Sequence, residues 1–279
     1  MTLKSRPIGI MQGRLSPKSI DNLQSFPYGC WQEEFSRAEK LGFETIEWLF
    51  CSSDPILNPL MTPEGRREVG LVSVDSGISV ETMCLHYFID GQLWVDDKLA
   101  RKSAIETLEK MLDFGAEIGA KVAVLPAMGP EGSLSNPDRA KRARDLLVEL
   151  DGSGKLSCAL AIEADISAKF LNPILSDVNS DRVGVCFDTG NVTALGLNIE
   201  DEYFDLRDRL LEVHIKDRAV NAGSFLLGQG DTRLSDIGRI ISSSMFEGPV
   251  VLETPVFDNW ETSGMHNLSI AHSMFDGGH

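Results

Sequence analysis

The chain of 279 residues is short of positive charge. Its 26 lysines and arginines face 42 aspartates and glutamates, leaving a formal charge of −16 at pH 7. Binding nucleic acid takes a basic face to neutralise phosphates, so this deficit argues against a nucleic-acid partner. Long apolar runs are missing too. Ile8–Met11, after Lys4 and Arg6, is too brief for a membrane span or the core of a secretion signal, so neither a membrane partner nor export is expected. The cysteines (Cys30, Cys51, Cys84, Cys158, Cys186) are odd in number and show no C-x-x-C spacing. That removes a disulfide framework or zinc knuckle and points to a reducing cytoplasm. No G-x-G-x-x-G or phosphate loop follows the first strand candidate, and no Pro/Gly/Ser-rich linker divides the chain. What remains is 42% hydrophobic and 24% charged residues, enough for a large core in a globular protein.

Eight short apolar runs read as strands: Pro7–Gly13, Thr45–Phe50, Val80–Phe88, Lys121–Met128, Ala159–Asp165, Val183–Asn191, Leu210–Asp217 and Pro249–Val256. Stretches such as Val122 to Leu125 are apolar at consecutive positions, which suits parallel strands covered on both faces. Helical patterns alternate with them. Phe35, Ala38 and Leu41 share a face that stops at Gly42, Asp96 and Asp97 precede a stripe of Ile105, Leu108, Leu112 and Ile118, and Asn136-Pro137 is a cap followed by a first-turn proline. Pro173 interrupts the pattern from Ile166 to Val178 and predicts a short helix starting near Asn172. Eight βα units in one uninterrupted series predict an α/β fold, a (β/α)8 TIM barrel forming a single domain over residues 1–279.

Active sites of such barrels lie at the C-terminal ends of the strands. The polar residues there are Glu47, His86, Glu163, Asp188, His214 and Glu253. A carboxylate closing one strand is an ordinary cap or solvated end. Four consecutive strands ending in Glu163, Asp188, His214 and Glu253 are another matter, because three converging carboxylates repel unless a cation or protons compensate them. Three oxygen donors and one imidazole suit a divalent manganese, magnesium, iron, cobalt or zinc ion in a site with open positions.

The blocks Ala161-Ile-Glu163, Phe187-Asp-Thr-Gly-Asn191, Val213-His-Ile-Lys-Asp-Arg218 and Val251-Leu-Glu253 resemble those of the xylose isomerase-like barrels, the sugar phosphate isomerases and epimerases. Gly9-Ile-Met-Gln-Gly-Arg14 and the stretch from Trp31 to Trp48 resemble members described as ketose or ketose-phosphate 3-epimerases. The resemblance implies that Glu163, Asp188, His214 and Glu253 bind one divalent metal, manganese first among the candidates. It also implies that Glu163 and Glu253 act as the acid/base pair on opposite faces of a sugar or sugar-phosphate substrate, in a homodimer or homotetramer. Proton return to the opposite face gives an epimer, and return to the neighbouring carbon gives an aldose/ketose isomer. Asn191 stands where many members carry a histidine, which argues against a second metal there.

Arg14, Glu47, His86, Asn191, Lys216 and Arg218 are the candidate substrate-binding residues. Arg14 and Arg218 have the alternative of pairing with surface acids, and Glu47 that of orienting a basic neighbour. Trp31, Trp48 and Phe88 either stack on the sugar or form wall. Three rival functions share the fold: a metal-dependent dehydratase of a cyclic polyol ketone, a non-catalytic sugar-binding barrel, and a DNA-repair endonuclease. The last needs a cationic groove and many histidines, whereas this chain has five, three of them (His266, His272 and His279) in the tail.

Overall fold

The computed structural model describes residues 7–17, 24–257 and 259–276; the N-terminal Lys4 and Arg6 and the tail residue His279 lie outside them. Eight parallel strands close into a barrel: β1 (Ile8–Met11), β2 (Thr45–Leu49), β3 (Ser79–Cys84), β4 (Val122–Ala127), β5 (Ala159–Ala164), β6 (Val183–Asp188), β7 (Leu210–Ile215) and β8 (Val250–Leu252). Each pairs with its neighbours in sequence, and β8 closes on β1 with Ile8 opposite Val250 and Ile10 opposite Leu252. The expected (β/α)8 architecture is therefore the observed one. Every residue of β2, β4 and β6 is buried, as strands enclosed by helices outside and by each other inside must be.

Around the barrel run α1 (Trp31–Leu41), α2 (Pro63–Ser76), α3 (Lys98–Glu117), α4 (Pro137–Ser153), α5 (Ala168–Leu175), α6 (Thr189–Ala194), α7 (Ile199–Leu206), α8 (Leu234–Ser243) and α9 (Trp260–Asp276). Their ends follow the sequence signals. Gly42 stops α1 at φ 96°, a left-handed conformation glycine adopts without a Cβ clash. The Asp97 side chain accepts the N–H groups of Leu99 and Ala100, and Asn136 does the same for Asp138 and Arg139 ahead of Pro137. Pro173 does not delay α5, contrary to the sequence expectation: the helix begins at Ala168 and carries the proline inside. One lost backbone bond is outweighed by burying Ala168, Leu171, Ile174 and Leu175, at about 1.5–3 kcal/mol for each large side chain.

Two apolar groups hold the layers. The larger, with Phe35, Leu108, Leu147 and Ile237, packs helices on strands; the smaller, Val122, Val124, Ala161 and Cys186, fills the barrel itself. Small side chains inside leave room higher up for polar ones. Among the described residues no helix is long and apolar enough to cross a membrane.

Candidate metal centre

Side chains alternate faces along a strand, so Ala161 and Glu163 on β5 point the same way, as do Cys186 and Asp188 on β6. The inward face thus runs from a small apolar floor to a carboxylate at the mouth. On β7 a bulge sets this alternation: Val185 pairs with Leu210, but Cys186 pairs with Glu212, leaving Leu211 as an extra residue. From there Glu212, His214 and Lys216 share the inward face. Asp188 and Val251 both pair with His214, and Glu253 follows β8 directly, two residues past Val251.

The four expected metal ligands meet. One ligand atom from each of Glu163, Asp188, His214 and Glu253 lies within 4.8 Å of the other three, and all four residues are buried. His214 Nδ1 sits 3.3 Å from Glu253 Oε2 and 4.0 Å from Glu163 Oε2, yet makes no aligned hydrogen bond. A buried imidazole nitrogen left without a partner among carboxylate oxygens is what a metal ligand looks like before the ion is added. Ligand atoms bonded to one small ion at about 2.1 Å lie about 3–4 Å apart, close to the spacing here. The three oxygen donors and one nitrogen fit a divalent ion.

Lys216 reaches into the same space. Its ammonium lies 2.9 Å from Asp188 Oδ2 and 2.6 Å from Glu253 Oε2. Burial opposes its charge, but Asp188, Glu253 and Glu163 carry its pKa above the ordinary lysine value. Glu253 responds in the opposite sense. Burial alone would raise it, whereas Lys216, His214 and Arg14 hold it below the usual carboxylate range. Glu163 has no ammonium in contact; burial, then Glu253 and Asp188, push its carboxyl well up. Their surroundings thus act in opposite directions, raising Glu163 and lowering Glu253.

Of the expected substrate-binding residues, Asn191 is buried in α6, where its backbone N–H is capped by Asp188 Oδ1 at 2.8 Å and its side-chain amide donates to Glu163 Oε1 at 2.9 Å. Arg218 donates to Asn191 Oδ1 at 3.1 Å and to the Ala222 carbonyl. Arg14 is buried beside Gln24 Oε1 (2.8 Å) and Glu253 Oε1 (3.9 Å). Both arginines belong to the mouth, and surface pairing does not describe them. His86 lies on a turn past β3, half-buried, with Nδ1 lacking a hydrogen bond; burial lowers its pKa.

Glu47 is not at the mouth. It is fully buried inside the barrel, with its Oε1 3.3 Å from His214 Nε2. Trp31, Trp48 and Phe88 are buried as well and form wall, with Trp31 and Trp48 edge to face at 5.4 Å and the Trp48 indole N–H on Asn58 Oδ1.

Sequence reasoning missed two groups, Gln24 and Glu212. Gln24 donates to Glu253 Oε1 and accepts from Arg14, across a loop no periodicity marks. Glu212 lies fully buried 3.7 Å from His214 Nε2, and its position two residues before His214 was the available signal. Asp217 accepts the backbone N–H groups of Gly228, Gly230 and Thr232, tying down the loop after β7.

A family model described as xylose isomerase-like TIM barrel matches residues 35–270. The L-ribulose-5-phosphate 3-epimerase UlaE of Escherichia coli (strain SMS-3-5 / SECEC) is 24% identical over 265 residues, covering 91% of this chain and 88% of that protein. A solved L-ribulose 3-epimerase superposes at a TM-score of 0.76 with 14% identity, over 99% of this chain and 96% of that one. The IOLI protein with a bound zinc atom does so at 0.74 with 16% identity, over 98% and 99%. At these identities the two structures show the shared barrel.

Proposed function

This chain belongs to the family of xylose isomerase-like TIM barrels, and from that premise we propose that it epimerises a small ketose or ketose phosphate using one divalent metal ion. Curated relatives matching most of its length are sugar epimerases, which supports that class of substrate and reaction. Glu163, Asp188, His214 and Glu253 would hold the ion, manganese first among those suited to three oxygens and one nitrogen. Bound there, the ion supplies positive charge where the substrate's carbonyl oxygen gains negative charge.

The single observation that carries this reading is the pair Glu163 and Glu253. They stand on β5 and after β8, at the two ends of an arc of four adjacent strands, and each brings one oxygen into the buried four-residue cluster. A carbon acid beside a carbonyl needs a base on one face and an acid on the other to invert. In one direction the Glu253 carboxylate takes the proton from the carbon and Glu163 returns its own to the opposite face; for the other epimer the roles exchange. The C–H electron pair passes towards the carbonyl and back, so product and substrate have equal mass. Asn191 holds Glu163 through Oε1, while Gln24 and Lys216 hold Glu253. Arg14, His86 and Arg218 surround the space left for the sugar. The free cysteines among the described residues support a reducing cytoplasm as the place of action.

The test is solvent exchange. Incubated with Mn2+ and a panel of ketoses and their phosphates in heavy water, the enzyme should wash deuterium into the carbon beside the carbonyl without changing the carbon skeleton. Glu163→Gln and Glu253→Gln should each lower turnover by at least about 100-fold, the lower end of general acid–base contributions. Wild-type exchange surviving in both variants would overturn the assignment, and a product lighter by one water would mark a dehydratase.

A further inference from the structure

The two ring nitrogens of His214 face different surroundings. Nδ1 looks at Glu163 and Glu253 and makes no aligned hydrogen bond, whereas Nε2 looks down into the barrel and is hydrogen-bonded to Glu47 Oε1 at 3.3 Å, with Oε2 at 3.2 Å. Beneath lies a second fully buried carboxylate, Glu212, 3.7 Å from the same nitrogen. Glu47 is fixed from both sides, its residue paired with Met11 on β1 and Thr82 on β3. A neutral imidazole carries one N–H, and its site is set by the better acceptor. Glu163 and Glu253 belong to the cluster facing the ion, so their oxygens are spoken for; Glu47 and Glu212 lie outside that cluster on the ring's far side.

We propose that Glu47 is a positioning residue: it accepts the Nε2–H of His214, fixes the tautomer with a bare Nδ1 lone pair, and aims that lone pair at the metal, with Glu212 closing the floor beneath. It rests on the reading of His214 as a metal ligand. The sequence leaves this as one of two readings of Glu47 and names no neighbour, and the four-ligand set does not assign it. An acceptor behind a ligating histidine raises its basicity and holds its plane, and losing such a partner weakens metal binding by about 10–100-fold.

The experiment uses the full-length protein labelled with 15N, with long-range proton–nitrogen correlation of the histidine rings, His214 being assigned by the signal missing in His214→Gln. In the Zn2+-loaded wild type His214 should carry its single ring proton on Nε2. On titration with Zn2+, a diamagnetic probe, Nδ1 should shift while the Nε2 proton stays and exchanges slowly with water. Glu47→Ala should lose the slow exchange and bind Zn2+ 10–100-fold more weakly by calorimetry, while Glu47→Gln, whose side-chain oxygen still accepts, should keep the tautomer and most of the affinity. Zn2+ bound through Nε2 with the proton on Nδ1 in the wild type would overturn the proposal even if Glu47→Ala fails to fold. So would unchanged Zn2+ affinity in a folded Glu47→Ala, or two ions per chain with Nε2 stripped of its proton. A wild type that binds no divalent ion overturns the metal reading instead, and slow exchange of the Nε2 proton, kept in wild type and lost in Glu47→Ala, still decides on Glu47.

Discussion

Lys216 places an ammonium between Asp188 and Glu253, where the charge of a metal ion would also fall. In the metal-free protein it is the compensating cation, and taking one partner from a buried pair costs about 3–5 kcal/mol. Lys216→Met should therefore be destabilised by about that amount in chelator, and much less with Mn2+ present; thermal melts under the two conditions check it, and equal melting of both proteins in chelator would refute it. Glu34 gives a different signal. Its carboxylate accepts the N–H groups of Gly13 and Leu15, yet burial pushes its pKa up to about 7. An unfolded glutamate titrates near 4.3, so between these values the folded protein binds more protons than the unfolded. That contribution to stability is complete below about pH 4.3 and lost as pH rises through about 7, a change of about 3–4 kcal/mol. Urea unfolding across this range should show wild type losing about that much stability as pH rises while Glu34→Gln, neutral throughout, does not; parallel pH profiles for the two would refute it.

At the scale of elements, β7 carries the most consequence. Without the extra residue Leu211, the strand's alternation would turn His214 and Lys216 outward, so one bulge decides whether the site has its imidazole. Immediately beyond, Asp217 replaces a ladder partner for three backbone N–H groups, and a Cβ at Gly230 would approach Asp217 Oδ1 to 2.3 Å. Asp217→Ala should cost about 2–3 kcal/mol and expose the segment 222–232 to proteolysis, since hydrogen bonds to a buried charge are worth about that much. Limited digestion at a fixed temperature reads it out; wild-type resistance would show that the loop is held elsewhere.

For the whole molecule, the charge of −16 separates into surface and interior. Outside, acids pair with bases between neighbouring elements, as in Lys40–Glu261, Arg144–Asp177 and Arg239–Glu200, exposed contacts of small worth. Inside, Glu47, Glu163, Asp188, Glu212 and Glu253 are buried against Lys216 and Arg14, an excess of acidic groups that a divalent ion would relieve. Ligand that binds only the folded state at 100 times its dissociation constant adds about 2.7 kcal/mol. Saturating Mn2+ should raise the melting temperature of chelator-treated protein by several degrees. No shift with any divalent ion would favour the sugar-binding barrel that does no chemistry.

By itself the sequence determined the barrel and the four candidate ligands. Short runs of consecutive apolar residues suit strands covered on both faces, and the polar residues ending four adjacent runs fall at one mouth. It also determined the helix ends at Gly42, Asp97 and Asn136, because capping is local chemistry. Tertiary structure alone decided the rest. Whether Glu47 faced a substrate or a neighbour depended on β2 and β7 being brought across the barrel, a distance no period along the chain encodes. Pro173 stayed inside α5 because burial of its neighbours outweighed one backbone bond. Which way His214 points was settled by Leu211, an insertion visible only once β6 lies beside β7, since register is a relation between strands.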